Sequence, residues 1–359
     1  MQELTRTIPA SWYYDPKVYE IERKAIFGSE WLYAAEEQSL KKQGDYITLE
    51  LAGYPILLIV GSDLKVRAFH NVCRHRAAPL LTETKGSVKS PTLSCRYHGW
   101  TYDLTGKFIN APLFEACKVQ NSQDLSLYEI QVGIFNGLVF INLDKNAQSL
   151  SVAFLPILGE IQKSNYSMAD YTFHSSMSQE GQFNWKVWVD GYQECYHCMT
   201  IHPVFNKDFA LRRYQIENKD GYSVHSCERK SESGMGGFEG LWLWIYPNLG
   251  LPCYEPCFYT LQVNPLGPNR TRLTYHFRFK ESVSEEIKNE FITMVRGITM
   301  EDVTVCEQVQ KNLEAGVYQQ GILNPARENG VEYFHSLVRR ANSNHLAAPI
   351  PAPIAVCQE

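Results

Sequence analysis

The chemistry of this 359-residue chain starts at two short runs, Cys73-Arg74-His75 and Cys95-Arg96-Tyr97-His98, nineteen residues apart. Two thiolates and two imidazoles delivered by two loops can hold a tetrahedral zinc, or a binuclear iron-sulfur cluster with Cys on one iron and His on the other. Zinc fingers usually group Cys with Cys and His with His. Here each loop supplies one of each, which favours the cluster. After His98 comes Gly99-Trp100-Thr101-Tyr102-Asp103-Leu104-Thr105-Gly106, a Gly-bearing loop running into an aromatic strand and a tight turn. Imidazole ligands raise the potential above that of an all-cysteine cluster, so the expected centre is a one-electron carrier of moderate potential.

A second dense stretch runs from Asn184 to Pro203 and contains Glu194-Cys195-Tyr196-His197-Cys198-Met199-Thr200-Ile201-His202-Pro203. His197 and His202 are five apart. On a continuous helix they would diverge by about 140°, so they share one ion only if the helix ends or bulges between them, as Pro203 allows. A carboxylate from elsewhere would complete a two-His-one-carboxylate face with open positions, the donor set of ferrous iron that handles oxygen. Candidates lie on a late helix, in Met300-Glu301-Asp302-Val303-Thr304-Val305-Cys306-Glu307. Asp302 is the leading one and Glu301 its rival, since an acidic pair on a helix is ordinarily a solvated face.

As a set, the split Cys/His signature, the Glu-Cys-Tyr-His-x4-His-Pro segment and the late Glu-Asp-x4-Glu helix resemble the catalytic subunit of the Rieske non-haem iron oxygenases, over residues 15–315. The resemblance implies a Rieske 2Fe-2S cluster on Cys73, His75, Cys95 and His98, and a mononuclear Fe(II) on His197, His202 and Asp302. It also implies use of O2, with electrons drawn from NAD(P)H through a separate flavin- or ferredoxin-type reductase. In that family the subunit forms a ring, usually a homotrimer, in which one protomer's cluster faces its neighbour's iron across a bridging carboxylate. Glu194 stands in that place, where most members carry Asp; it would orient His197 and meet His75 or His98 across the interface. Arg96 replaces a common Pro and Gly191 a frequent Asn.

Glu at the bridge is similar to the branch acting on quaternary ammonium compounds such as choline, glycine betaine and carnitine. Trp242, Trp244 and Tyr246 alternate and so share one strand face, where they could form an aromatic box for a cation or simply a sheet core. Tyr192 and Phe205 complete the expected substrate pocket, and the Gly-rich run 231–240 is either a lid or a plain hairpin loop. The expected activity is that of a monooxygenase hydroxylating a C–H bond beside an ammonium nitrogen, as choline-like oxidation or N-demethylation. Two alternatives stand: the same chemistry on a neutral aromatic or natural-product intermediate, and a non-catalytic redox or iron-sensing protein.

The elements that must position these residues read as α+β. Asp15 as N-cap and Pro16 predict a helix over 15–27. Short strand-like runs, among them Tyr46–Leu51, Ile56–Val60, Val66–His70 and Leu138–Leu143, predict a small all-β Rieske domain. Beyond it, helices near 152–163, 184–198, 283–314 and 328–341, with strands at 222–228, 241–247, 257–264 and 271–279, predict an α+β catalytic domain with a central antiparallel sheet flanked by helices. The expected division is an N-terminal helical segment (1–40) packing on the catalytic domain, the Rieske domain (41–148), the catalytic iron domain (149–345) and a Pro-rich tail (346–359).

A net charge of -5 without a long Lys/Arg block argues against nucleic acid and anionic membrane as partners. The longest apolar runs have strand length, so no membrane span is expected. The N-terminus lacks signal- and transit-peptide character, giving a cytoplasmic expectation. Besides Cys73 and Cys95, the cysteines Cys117, Cys195, Cys198, Cys227, Cys253, Cys257, Cys306 and Cys357 are expected to be reduced and mostly buried.

Overall fold

The structure, a computed structural model, describes residues 5–113, 125–164, 166–228, 230 and 241–347. The run 231–240, nearly all of the Pro-rich tail, Cys117 and Cys357 lie outside the described residues. The chain opens with helix α1 (Pro16–Ala25), where the Asp15 side chain accepts a hydrogen bond from the Lys17 amide and Pro16 starts the first turn.

Ten strands follow: β1 (Leu32–Glu36), β2 (Asp45–Leu51), β3 (Tyr54–Val60), β4 (Val66–His70), β5 (Lys85–Ser87), β6 (Thr92–Ser94), β7 (Thr101–Asp103), β8 (Phe108–Asn110), β9 (Glu129–Phe135) and β10 (Leu138–Asn142). Seven form an antiparallel sheet in the order β1-β10-β9-β4-β3-β2-β5, and β6-β7-β8 form a small meander. β3 and β10 are apolar almost throughout because both their faces are covered. β1 falls within the segment expected to be helical, yet it pairs with β10 and forms one edge of this sheet. Its five buried residues supply the reason.

The second half holds α2 (Leu150–Ala153), α3 (Leu155–Lys163), β11 (Tyr171–Gly181), α4 (Trp185–Tyr192), α5 (Cys198–Ile201), α6 (Pro203–Asp208), β12 (Gln215–Lys219), β13 (Tyr222–Ser226), β14 (Leu241–Ile245), β15 (Leu249–Cys253), β16 (Cys257–Gly267), β17 (Arg270–Lys280), α7 (Glu285–Glu314) and α8 (Asn329–Ala347). The strands make one antiparallel sheet, β11-β17-β16-β15-β14-β13-β12. α4, α7 and α8 share its apolar core with the N-terminal segment: Ile8, Trp185, Phe277, Val303 and Phe334 belong to one buried cluster. The buried Asn264 side chain joins the halves, accepting from the Ala52 amide and donating to the Glu50 carbonyl. Among the described residues no helix is long and apolar enough to cross a membrane.

Candidate metal centres and substrate cavity

The cluster loops sit between β4 and β5 and between β6 and β7. Each is closed by its own backbone, with the Cys73 amide donating to the Ala78 carbonyl and the Cys95 amide to the Trp100 carbonyl. Gly99 has φ +73°, a left-handed turn that glycine takes without strain. Cys73 and Cys95 are buried and form no disulfide, their thiols adjoin, and Cys73 Sγ also lies 3.3 Å from the Tyr102 hydroxyl. His75 and His98 lie nearer the surface with their Nδ1 atoms 3.2 Å apart, and Trp100 stacks on His75 at 4.9 Å. Two buried sulfurs below two converging nitrogens are the donor arrangement that a binuclear cluster with two Cys and two His ligands needs. Burial holds the Cys95 thiol above its ordinary pKa, so bound iron must draw off that proton.

The second centre depends on a break in the expected 184–198 helix. α4 stops at Tyr192, and Gln193 turns the chain out with its side chain fully buried. That side chain donates to Ser223 Oγ and accepts from His225 Nε2 at 2.9 Å, while burial pulls His225 down to about 3 and keeps it neutral. Gly330 of α8 lies so close to the Gln193 carbonyl that a Cβ there would come within 2.3 Å of it. Beyond the break, α5 lasts one turn between His197 and His202, and Pro203 opens α6.

The two imidazoles therefore converge instead of diverging, with Nε2 to Nε2 at 3.1 Å. Asp302 Oδ1, from α7, lies 3.1 Å from His202 Nε2 and 3.5 Å from His197 Nε2. Glu301 takes the opposite side of the ring, accepting from His202 Nδ1 at 2.8 Å. Glu194 does the same for His197 Nδ1 and also caps the Tyr196 and His197 amides. Both imidazoles are thus held from behind by a carboxylate while Nε2 faces Asp302, the support that metal-binding histidines typically have. Burial alone would pull His197 down, but its hydrogen bonds to Asp302 and Glu194 push it up to about 10. Burial likewise raises Asp302, and the two imidazoles outweigh it, leaving the carboxyl below its ordinary range. Three groups that trade protons at this spacing are a ready site for one divalent ion.

Against this centre lies a cavity of about 130 Å³, lined by Tyr192, Phe205 and Trp242 and also by Trp188, Tyr214, Tyr254, Tyr259 and Tyr275. Tyr214 lies parallel to Trp242 at 6.1 Å, and Tyr254 meets it edge-on at 5.8 Å. Trp244 and Tyr246 do not reach the cavity. Trp244 packs on Tyr192 at 5.3 Å and Tyr246 faces Phe334 at 6.4 Å, both inside the core. Same-face residues advance about 6.7 Å each along a strand, so three of them outrun so small a cavity. Alternation could have flagged Tyr259 and Tyr275 on β16 and β17; Tyr214 and Tyr254 come from connections with no such pattern. Cys195 and Cys198 are joined in a disulfide, contrary to expectation, because the chain break between α4 and α5 turns both side chains inward. Cys227, Cys253, Cys257 and Cys306 are free and buried.

Comparison with known proteins supplies the context. The Rieske 2Fe-2S domain profile matches residues 30–125, and the catalytic domain of the ring-hydroxylating alpha subunit matches residues 168–343. The chain belongs to the Rieske non-haem iron oxygenases. This oxygenase accordingly carries a Rieske cluster in its first half and a mononuclear iron in its second, and is one component of a system that needs O2 and a reductase. It is 29% identical over 349 residues to the carnitine monooxygenase oxygenase subunit of Escherichia coli strain K12, covering 92% of each chain. It is 28% identical over 337 residues to the chloroplastic choline monooxygenase of Atriplex hortensis, covering 92% of this chain and 76% of the other. A quaternary ammonium Rieske monooxygenase solved with L-carnitine superposes with a TM-score of 0.83 at 26% identity, covering 94% of this chain and 96% of that one.

Proposed function

We propose that this oxygenase hydroxylates a C–H bond adjacent to the nitrogen of a small quaternary ammonium substrate. The observation that carries the reading is the aromatic cavity set directly against the His197, His202 and Asp302 side chains. Desolvated aromatic faces attract ammonium groups, with Trp the best of them. The carboxylates of Glu194 and Asp302 add negative potential, and no Lys or Arg among the described residues lines the cavity to oppose them. The similarity to carnitine and choline monooxygenases supports the same substrate class.

In this reading His197, His202 and Asp302 hold the mononuclear iron, and Cys73, His75, Cys95 and His98 hold the cluster. When bound, the iron supplies O2 activation at its open positions and the cluster supplies single electrons from an NAD(P)H-dependent reductase. Glu194 and Glu301 fix the two imidazole tautomers, each accepting the Nδ1 proton so that the Nε2 lone pair points at the metal position. Gln193 and His225 keep the chain break in place, and Trp242, Tyr214 and Tyr254 seat the cation and exclude water from the reacting carbon. Hydroxylation beside nitrogen then gives a hemiaminal, whose C–N bond breaks to release the amine and an aldehyde, formaldehyde where the carbon was an N-methyl group.

In a homotrimeric ring Glu194 would meet His75 or His98 of the neighbouring protomer, linking cluster to iron. Oxygen uptake with a surrogate reductase and mass spectrometry of products, on choline, glycine betaine and carnitine, tests the proposal. Coupled turnover with at least one ammonium is expected. Turnover with none of them, while a neutral aromatic is hydroxylated, overturns it.

A further inference from the structure

We propose that Cys198 is a latent fourth metal ligand, released when the Cys195–Cys198 disulfide is reduced, and that the reduced site takes Zn²⁺ as a closed centre of two imidazoles, one thiolate and one carboxylate that stops oxygenation. The inference rests on the assignment of His197, His202 and Asp302 as the metal-holding groups. Cys198 Sγ lies 3.9 Å from His197 Nε2, and the Cys198, His197 and His202 donor atoms all fall within 4.8 Å of one another. Tetrahedral zinc, with bonds of about 2.1 Å to N and O and about 2.3 Å to S, needs donor separations of about 3.4 Å between nitrogens and about 3.6 Å from sulfur to nitrogen. The observed spacings are 3.1 Å between the imidazole nitrogens, 3.1 and 3.5 Å to Asp302, and 3.9 Å to sulfur. The two imidazoles and Asp302 need shifts of only a few tenths of an ångström, whereas Cys198 Sγ, near its required distance from His197 alone, reaches His202 and Asp302 by rotating about its Cα–Cβ bond once the disulfide is cut.

A disulfide sulfur is a poor donor, so the oxidised protein presents only two nitrogens and a carboxylate, which keeps positions open for oxygen on iron. Reduction by a dithiol passes two electrons and two protons to the disulfide, giving two thiols and the oxidised cyclic disulfide of the reductant. The freed Cys198 thiol loses its proton to solvent as it binds the ion. A soft thiolate added to two imidazoles favours zinc, which binds more tightly than Fe²⁺ in the general order of divalent ions, and four protein ligands leave no place for oxygen. Both cysteines line the cavity, so the disulfide faces the same space as the substrate.

The test uses cluster-loaded protein stripped of its mononuclear iron, oxidised or reduced by a dithiol and desalted, then given zinc. Cluster retention is followed by visible absorbance. Alkylation with peptide mapping should label Cys195 and Cys198 only after reduction. Zinc K-edge absorption should show a sulfur neighbour at about 2.3 Å in reduced wild type and in Cys195→Ser without any reductant, and in neither state of Cys198→Ser. Turnover on reloading with iron should be lost in the zinc-bound form. Zinc with only nitrogen and oxygen neighbours in reduced wild type, or the same spectrum in Cys198→Ser, overturns the proposal. His197→Ala separates the two claims, since zinc and iron uptake undiminished in that variant would sink the ligand assignment itself.

Discussion

Replacing Trp242 separates cation recognition from packing. The indole is buried and sits among Tyr214, Tyr254, Phe205 and Phe209, with the nearest ring centroid 5.3 Å away. A desolvated cation–π contact is worth about 2 kcal/mol for a good ring, or about 30-fold in affinity. Trp242→Leu removes that electrostatic attraction together with some apolar area, and Trp242→Phe keeps a weaker ring. Area loss affects any ligand of the same shape, so the informative quantity is a ratio: the affinity for choline divided by that for its carbon isostere, in which a tert-butyl group replaces trimethylammonium. Calorimetry on the protein should show this ratio falling by about 30-fold in Trp242→Leu and by roughly a third of that free energy in Trp242→Phe. Trp244→Phe, altering a ring packed on Tyr192 away from the cavity, should lower stability and leave the ratio unchanged. Parallel losses for the two ligands in the Trp242 variants would show that the ring is only a wall of the core and would refute the aromatic-cage argument.

Three further outcomes are expected. Glu194→Gln keeps an acceptor for His197 Nδ1 but loses the charge, so iron and cluster contents should stay normal while turnover falls by about 10–100-fold; stopped-flow reoxidation of the reduced cluster at an unchanged rate would contradict this. In metal-free protein His197 is raised to about 10, above an unfolded value of about 6.5. Its pairing with Asp302 and Glu194 therefore stabilises the fold fully below pH of about 6.5 and is lost as pH rises through about 10. A metal must displace that proton, so affinity for Co²⁺ or Fe²⁺ should rise by about tenfold per pH unit for each proton released between neutral pH and about 10, read by titration calorimetry in buffers of different ionisation enthalpy. Finally, Lys186 and Glu22 form a fully buried pair at 2.8 Å, and Trp185 also donates to Glu22. Lys186→Met should cost about 3–5 kcal/mol, and Glu22→Leu in the same chain should recover most of it; a double variant no more stable than the single one in denaturant titration would show that the pair is not what Lys186 contributes.

The parts of this molecule that can be read from sequence are those set by local chemistry. Asp15 and Pro16 announce α1, a wholly apolar run announces β14, period-two alternation announces β16 and β17, and the loop motifs announce the cluster residues because a tight turn and its two ligands lie within a few positions. β15 is hidden by Gly250 and Pro252, poor strand formers whose strand is kept by pairing with β14 and β16 on either side. The 184–198 helix reads as continuous because nothing in its own sequence forbids helix at Gln193. What ends it is distant: Ser223 and His225 from β13 take the Gln193 side chain, and Gly330 from α8 crowds its carbonyl.

That long-range break carries most of the function. A continuous helix would spread His197 and His202 by about 140° and keep Cys195 and Cys198 on its surface; broken, it turns both imidazoles toward Asp302 and both sulfurs toward the cavity. The choice between Asp302 and Glu301 has the same character. Adjacent helical residues differ by about 100° in direction, so one faces the two Nε2 atoms while the other reaches behind His202 to its Nδ1. Both acidic residues serve the same imidazole from opposite sides. Composition could not say which was which, because the answer lies in how α7 packs against the broken end of α4.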